Sequence, residues 1–232
     1  MPVREESFTD RDALAAALAG RLVAILHQAI ARDGSASLVV PGGTTPVAVF
    51  KHLAASDLAW ENVNVIPCDE RWVAPDHADS NEGLIRQHLL TGNADAARVF
   101  ALYRPLPTPD DAVPDVTRAL KAIKRPFDAV FLGMGEDGHF ASLFPGRGET
   151  TSGLALDNAS NLMTLREPAK GHPRIGLTLR ALTDAKHLIL AVLGEQKRVV
   201  LAQAKANIND DRLPVAALLR QSRVPVDIMS CP

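Results

Sequence analysis

Cysteine is nearly absent: Cys68 and Cys231 are the only two in 232 residues. That excludes a disulfide framework, and their separation offers no metal-ligand spacing. Both thiols read as bystanders in a reducing cytoplasm. Charge of one sign is also missing, since 25 Lys and Arg against 27 Asp and Glu leave a formal charge of −2. No nucleic-acid footprint is written in that balance, and an anionic ligand would need a local basic pocket. Long hydrophobic runs are lacking too. The run Leu188–Leu193 falls far short of the ~20 apolar residues a bilayer-spanning helix needs. The opening MPVREESFTD carries charge where a signal peptide would be apolar. Internal repeats and low-complexity tracts are absent. These absences predict a cytoplasmic protein with neither nucleic acid nor membrane as partner, and the length predicts one domain over residues 1–232. The oligomeric state stays open, with a monomer as the default.

What is present is an alternation of strand and helix patterns, which argues a Rossmann-like α/β fold: a mostly parallel sheet with helices on both faces. Thr9-Asp10-Arg11-Asp12 resembles a capping box and opens an amphipathic helix over 10–32, in which His27 is structural. A strand over Ser37–Val40 then runs into Pro41-Gly42-Gly43-Thr44-Thr45-Pro46. Glycines that admit a close ligand, two hydroxyls and a helix start with free amides make an anion-binding geometry. The loop is neither a Walker A motif nor GxGxxG. A plain strand–helix turn is the competing reading.

A helix over Val47–Ala55 and a strand over Asn62–Pro67 follow, ending at Cys68-Asp69-Glu70-Arg71. Charges at a strand's carboxyl end face either a ligand or solvent, as a surface salt-bridge patch. Ser80 reads as the N-cap of a helix over 81–90. Further on, the pattern predicts a strand near Arg98–Leu102 and a helix near Asp110–Lys124, with His77 and His88 exposed or helical.

Residues 128–146, DAVFLGMGEDGHFASLFPG, carry the densest chemistry. The buried strand Ala129–Leu132 gives way to Gly133 and Gly135, then to Asp137-Gly138-His139. A carboxylate two residues from an imidazole can fix the ring's tautomer and raise its basicity. The apolar sequel Phe140, Ala141, Leu143 and Phe144 can partly desolvate it. The bland alternative is a polar loop. Residues 147–160 read as a mobile loop. His187–Leu193 is a buried strand leading to Gly194-Glu195-Gln196-Lys197. A lysine at a helix start opposes the dipole preference, which suggests a second duty such as meeting an anion. A helix over Leu213–Gln221 and a strand over Val224–Ile228 close the chain.

GMGEDGHFASLFPG resembles the signature of the 6-phosphogluconolactonases, lactone hydrolases of the pentose phosphate pathway. Glucosamine-6-phosphate deaminases share a similar DGH turn, but the glutamate of their following segment falls here on Phe144. Three further stretches resemble the lactonases: the GG loop before Thr-Pro, the Asp69-Glu70-Arg71 run with Ser80-Asn81 downstream, and Pro173-Arg174-Ile175-Gly176-Leu177-Thr178. In the last, Gly176 replaces a usual hydroxyl residue. A G-x-x-K at Gly194–Lys197 matches as well, while the tail lacks the Trp-x-x-Asp-x-x-Ala type of ending.

The resemblance implies hydrolysis of 6-phosphoglucono-1,5-lactone without metal or cofactor. His139 would be the general base oriented by Asp137, and amides of the Gly133–Gly138 turn would hold the oxyanion. Gly42, Gly43, Thr44 and Thr45 would meet the phosphate, with charge from Arg174 and Lys197. Gly133 and Gly135 would border the substrate, Arg71 would face it, and Asp69 would bind a hydroxyl. Two alternatives are a glucosamine-6-phosphate deaminase-like enzyme and a non-catalytic sugar-phosphate-binding regulator.

Overall fold

A computed structural model describes residues 3–166, 171–210 and 212–232. The elements run β1 (Val3–Ser7), α1 (Arg11–Asp33), β2 (Ala36–Val40), α2 (Pro46–Ala54), β3 (Val63–Pro67), β4 (Asp69–Arg71), α3 (Asn81–His88), β5 (Arg98–Val99) and α4 (Pro109–Leu120). They continue β6 (Phe127–Gly133), α5 (Gly148–Gly153), β7 (Leu162–Leu165), β8 (Arg174–Leu177), α6 (Leu179–Leu182), β9 (Ala185–Leu193), α7 (Glu195–Ala206), α8 (Pro214–Arg220) and β10 (Val226–Cys231). Seven strands form one parallel sheet in the order β1-β10-β9-β6-β2-β3-β5. The fold is thus α/β with a mostly parallel sheet. The departure is a second, antiparallel sheet β4-β8-β7.

Alternation along the central strands feeds two cores. Val130 and Leu132 of β6, with Leu188, Leu190 and Val192 of β9, face α4, α7 and α8. Phe131 and Ile189 point the other way, onto Leu14, Leu18, Leu22 and Leu26 of α1 and Phe50 of α2. Strands buried on both faces read as continuous apolar runs, which is why β6 and β9 were visible in the sequence. α1 has the length and mean hydropathy of a membrane span, but its leucine stripe is fully buried against the sheet.

Some boundaries differ from the sequence reading, each for a local reason. Asp10, not Thr9, caps α1, accepting from the Ala13 amide at 2.8 Å. β1 went unpredicted because VREES is a mostly exposed edge strand whose partner, β10, lies at the far end of the chain. β10 runs to Cys231 and is held between β1 and β9, so the unusual tail is packed into the sheet. Residues 147–160 are not simply a loop. They include α5, whose Thr150 is buried and whose Gly153 packs against Leu143 and Met163.

The candidate active site

β2, β3, β6 and β9 end at the same edge of the sheet, where connections leave the crevice open to ligands. A cleft of about 350 Å³ lies there. Every residue expected at the site lines it except Asp137: Gly42, Gly43, Thr44, Thr45, Asp69, Arg71, Gly133, Gly135, His139, Arg174 and Lys197. Asp137 stands behind the imidazole.

The turn after β6 sets that imidazole. The Gly135 amide donates to the His139 carbonyl at 2.8 Å, and the Gly138 amide to the Gly135 carbonyl at 3.1 Å. These amides are consumed within the turn, which removes two of the donors expected for an oxyanion. Asp137 Oδ1 receives the His139 amide at 3.1 Å and lies 2.5 Å from ring Nδ1. Burial raises the Asp137 carboxyl, but the hydrogen bonds from the His139 ring and backbone outweigh it and hold the group below the usual carboxylate range. An ionised carboxylate only accepts, so Nδ1 carries a proton, and in the neutral ring it is Nε2 that holds the lone pair. Gly135 is the residue that permits this: a Cβ there would stand 2.1 Å from Nδ1.

Phe144 stacks on the imidazole with centroids 4.3 Å apart, and the Arg174 guanidinium carbon lies 5.2 Å from the same ring's centroid. Between them the chain turns tightly through Phe140–Leu143, with Ala141 at φ 48°. A left-handed non-glycine backbone costs of order 1–3 kcal/mol and persists where surrounding packing over-determines it. Here it turns the Ser142 hydroxyl inward, 2.5 Å from Asp69 Oδ2.

Asp69 lines the cleft with its carboxylate already engaged by protein groups. It is buried, and its oxygens already accept from Ser142, from Arg174 at 3.2 Å and from Asn81 Nδ2 at 3.4 Å, with Cys68 Sγ at 3.3 Å. A carboxylate so engaged holds the Arg174 guanidinium in place at the cleft. Gly176 makes room for it, since a Cβ there would lie 3.0 Å from that of Asp69. Glu70, beside it in the chain, does not line the cleft. It is fully buried and accepts from the amides of Arg71, Asn81 and Glu82 and from the Ser80 hydroxyl. Burial pushes its carboxyl up, while those bonds pull it back. Ser80 caps α3 as expected.

Arg71 donates to Asn81 Oδ1 at 2.7 Å. Asn81, part of the cleft wall, entered the sequence reading only through the resemblance of Ser80-Asn81 to the lactonases, with no role of its own assigned. A polar side chain at a helix's first position was the available signal. Gly42 exists for its sake: a Cβ would fall 1.8 Å from Asn81 Oδ1. On the other wall Gly43, Thr44 and Thr45 lead into α2, which opens on Pro46 with no amide hydrogen. The Val47 amide donates to the Thr44 carbonyl at 3.4 Å, so the positive end of the helix and the loop's own donors face the cleft. Lys197 sits in the first turn of α7 and has no ion-pair partner among the described residues. Among the described residues, Arg71, Arg174 and Lys197 face a lining whose only carboxylate, Asp69, is already paired. The local basic pocket that an anion needs is therefore present in a chain of net charge −2. Cys68 also lines the cleft, but burial and the Asp69 charge push its thiol well up, so it offers no thiolate nucleophile.

Known proteins similar to this chain are numerous. The sequence pattern of the glucosamine-6-phosphate isomerases/6-phosphogluconolactonase family matches residues 9–226. A 6-phosphogluconolactonase of Rhizobium meliloti is 38% identical over 225 residues, covering 97% of both chains. One from Pseudomonas putida is 39% identical over 99% of this chain and 93% of its own. The crystal structure of a 6-phosphogluconolactonase from Shewanella baltica superposes with a TM-score of 0.95 at 34% identity, covering 100% of this chain and 98% of the other. A monomeric glucosamine-6-phosphate deaminase shares the fold alone, with a TM-score of 0.78 at 16% identity over 98% of this chain and 97% of its own. By sequence over nearly its whole length, this chain belongs to the glucosamine-6-phosphate isomerase/6-phosphogluconolactonase family.

Proposed function

We infer that the chain hydrolyses 6-phosphoglucono-1,5-lactone to 6-phosphogluconate, in the oxidative branch of the pentose phosphate pathway. The observation that carries the reading is the His139–Asp137 pair, 2.5 Å apart, in a cleft walled by three cations and the start of α2. The family membership and the names of the full-length relatives support it.

His139 Nε2 takes a proton from the water that attacks C1 of the lactone. As the tetrahedral intermediate collapses, the C1–ring oxygen bond breaks, and the imidazolium returns a proton to the departing oxygen. The new carboxylic acid then loses its proton to solvent. Asp137 holds the ring in the required tautomer and stabilises its transient positive charge. The phosphate meets Gly43, Thr44, Thr45 and the Lys197 ammonium. Arg174 faces the same Phe144 ring as His139, so we assign its charge to the developing oxyanion instead of the phosphate. Phe144 occupies the position where the deaminase-type segment carries a glutamate, which argues against the deaminase reading.

The test follows the opening of freshly prepared 6-phosphogluconolactone with and without protein, corrected for spontaneous hydrolysis. His139→Ala should lower turnover ~10²–10⁴-fold. A variant that keeps wild-type turnover removes the imidazole from the mechanism.

A further inference from the structure

Three side chains with metal-ligand chemistry, far apart in the chain, meet at the edge of the antiparallel sheet. His77 and Asp79 lie between β4 and α3, and His172 leads into β8. His172 Nε2 is 3.1 Å from Asp79 Oδ2, and His77 Nδ1 is 3.9 Å from the same oxygen. One ligand atom from each of the three lies within 4.8 Å of the other two. The imidazoles meet edge to face, with centroids 5.2 Å apart. None of the three lines the cleft that holds His139.

We propose that His77, Asp79 and His172 form a binding site for a divalent transition-metal ion of the zinc type. Bonds of ~2.0–2.2 Å in tetrahedral geometry place neighbouring donors ~3.3 Å apart. The observed 3.1 and 3.9 Å bracket that spacing, so small side-chain adjustments complete the set. Two imidazoles and one carboxylate suit zinc or cobalt and not the all-oxygen shells of calcium or magnesium. With three protein ligands, water fills the fourth position. The Asp79 amide now donates to His77 Nδ1 at 3.1 Å. The ion takes over that lone pair.

The surroundings give the ion a structural role. β4 and β8 pair Arg71 with Arg174, and the Trp72 amide donates to the Pro173 carbonyl at 2.7 Å. The Asp79 carbonyl in turn accepts from Arg71 at 3.0 Å. An ion shared by His77, Asp79 and His172 fastens the segment after β4 to the approach to β8. It thereby steadies the backbone carbonyl that holds Arg71 at the cleft. It takes no part in the chemistry at His139.

The experiment titrates metal-free protein with Zn²⁺ by calorimetry and with Co²⁺ by visible absorption. Thermal melting with and without Zn²⁺ gives a third readout. The expected result is one ion per chain at micromolar affinity, a tetrahedral cobalt spectrum and a raised melting midpoint. All three should be lost in His77→Ala, His172→Ala and the milder His172→Gln, whose metal-free melting stays that of the wild type because these side chains are solvent-accessible. His139→Ala should titrate like wild type. Failure to take up either ion overturns the proposal. So does binding that survives the His77 and His172 substitutions, or binding that disappears with His139→Ala. Because the readouts are binding and melting, the outcome does not depend on the lactonase reading.

Discussion

Replacing Gly135 by alanine tests the geometry of the site without touching a reacting group. The added Cβ would stand 2.1 Å from His139 Nδ1, 2.2 Å from Cε1 and 2.8 Å from Asp137 Oδ1. Favourable carbon contacts begin near ~3.5 Å, so the ring must retreat by more than an ångström and release its bond to Asp137. A misplacement of ~1 Å at a reacting group costs on the order of 10²-fold, or ~2.7 kcal/mol of barrier. Gly135 is not among the residues with left-handed backbone. Alanine therefore introduces no backbone strain, and the amide bond to the His139 carbonyl survives. The predicted signature is a ~10²-fold fall in kcat with little change in KM, measured on fresh lactone. Crossing the substitution with His139→Ala sharpens the test. Once the ring is gone the Cβ can displace only Asp137, which then has no imidazole to orient, so the double variant should be no slower than His139→Ala alone. Wild-type turnover in Gly135→Ala, or fully multiplicative losses in the double variant, would refute the reasoning.

Other predictions concern charge. The Asp137 carboxyl lies below its ordinary value in the folded chain. Its contribution is therefore complete above the unfolded value of ~3.9 and is lost only as pH falls through the folded one. Asp137 should accordingly add no ionisation of its own to the acid limb of kcat above pH ~5, and a proton uptake there that disappears in Asp137→Asn would contradict this. Lys197→Ala should raise KM with kcat nearly unchanged, whereas Arg174→Ala should lower kcat. Each loss is ~10–100-fold in kcat/KM, from removal of a charge-assisted bond of ~1.5–3 kcal/mol, and the reverse pattern would exchange their assignments. Far from the cleft, buried Asp128 accepts from the Ser37 amide at 3.0 Å and from Lys186 at 2.8 Å. Asp128→Ala should cost ~3–5 kcal/mol of stability, lowering Tm by ~6–20 °C. Turnover at low temperature should not change, and a variant that melts like wild type would show the network to be dispensable.

Patterns local in the chain settled much of this protein. The apolar runs of β2, β6 and β9 place three adjacent strands, because a parallel strand buried on both faces has no polar alternation to obscure it. The glycine and hydroxyl residues that follow such strands mark the sheet's open edge, so Gly42–Thr45 and Gly133–His139 were legible as site residues. Arg71, Arg174 and Lys197 gained their site assignments from the family resemblance, with Lys197 also marked by its place at a helix start.

Only the tertiary structure could decide matters that depend on pairs distant in sequence. Asp69 and Ser142 lie 73 residues apart, and the bonds of Asp69 to Ser142 and to Arg174 are ones that no local spacing reveals. β1 pairs with β10 at the opposite end of the chain, so no local pattern announces it. His77 and Asp79 meet His172 across 93 residues or more, so no motif spacing discloses their shared chemistry. Sequence periodicity reports which face of an element is buried. Which side chains share a carboxylate, or an ion, is decided where separate elements cross.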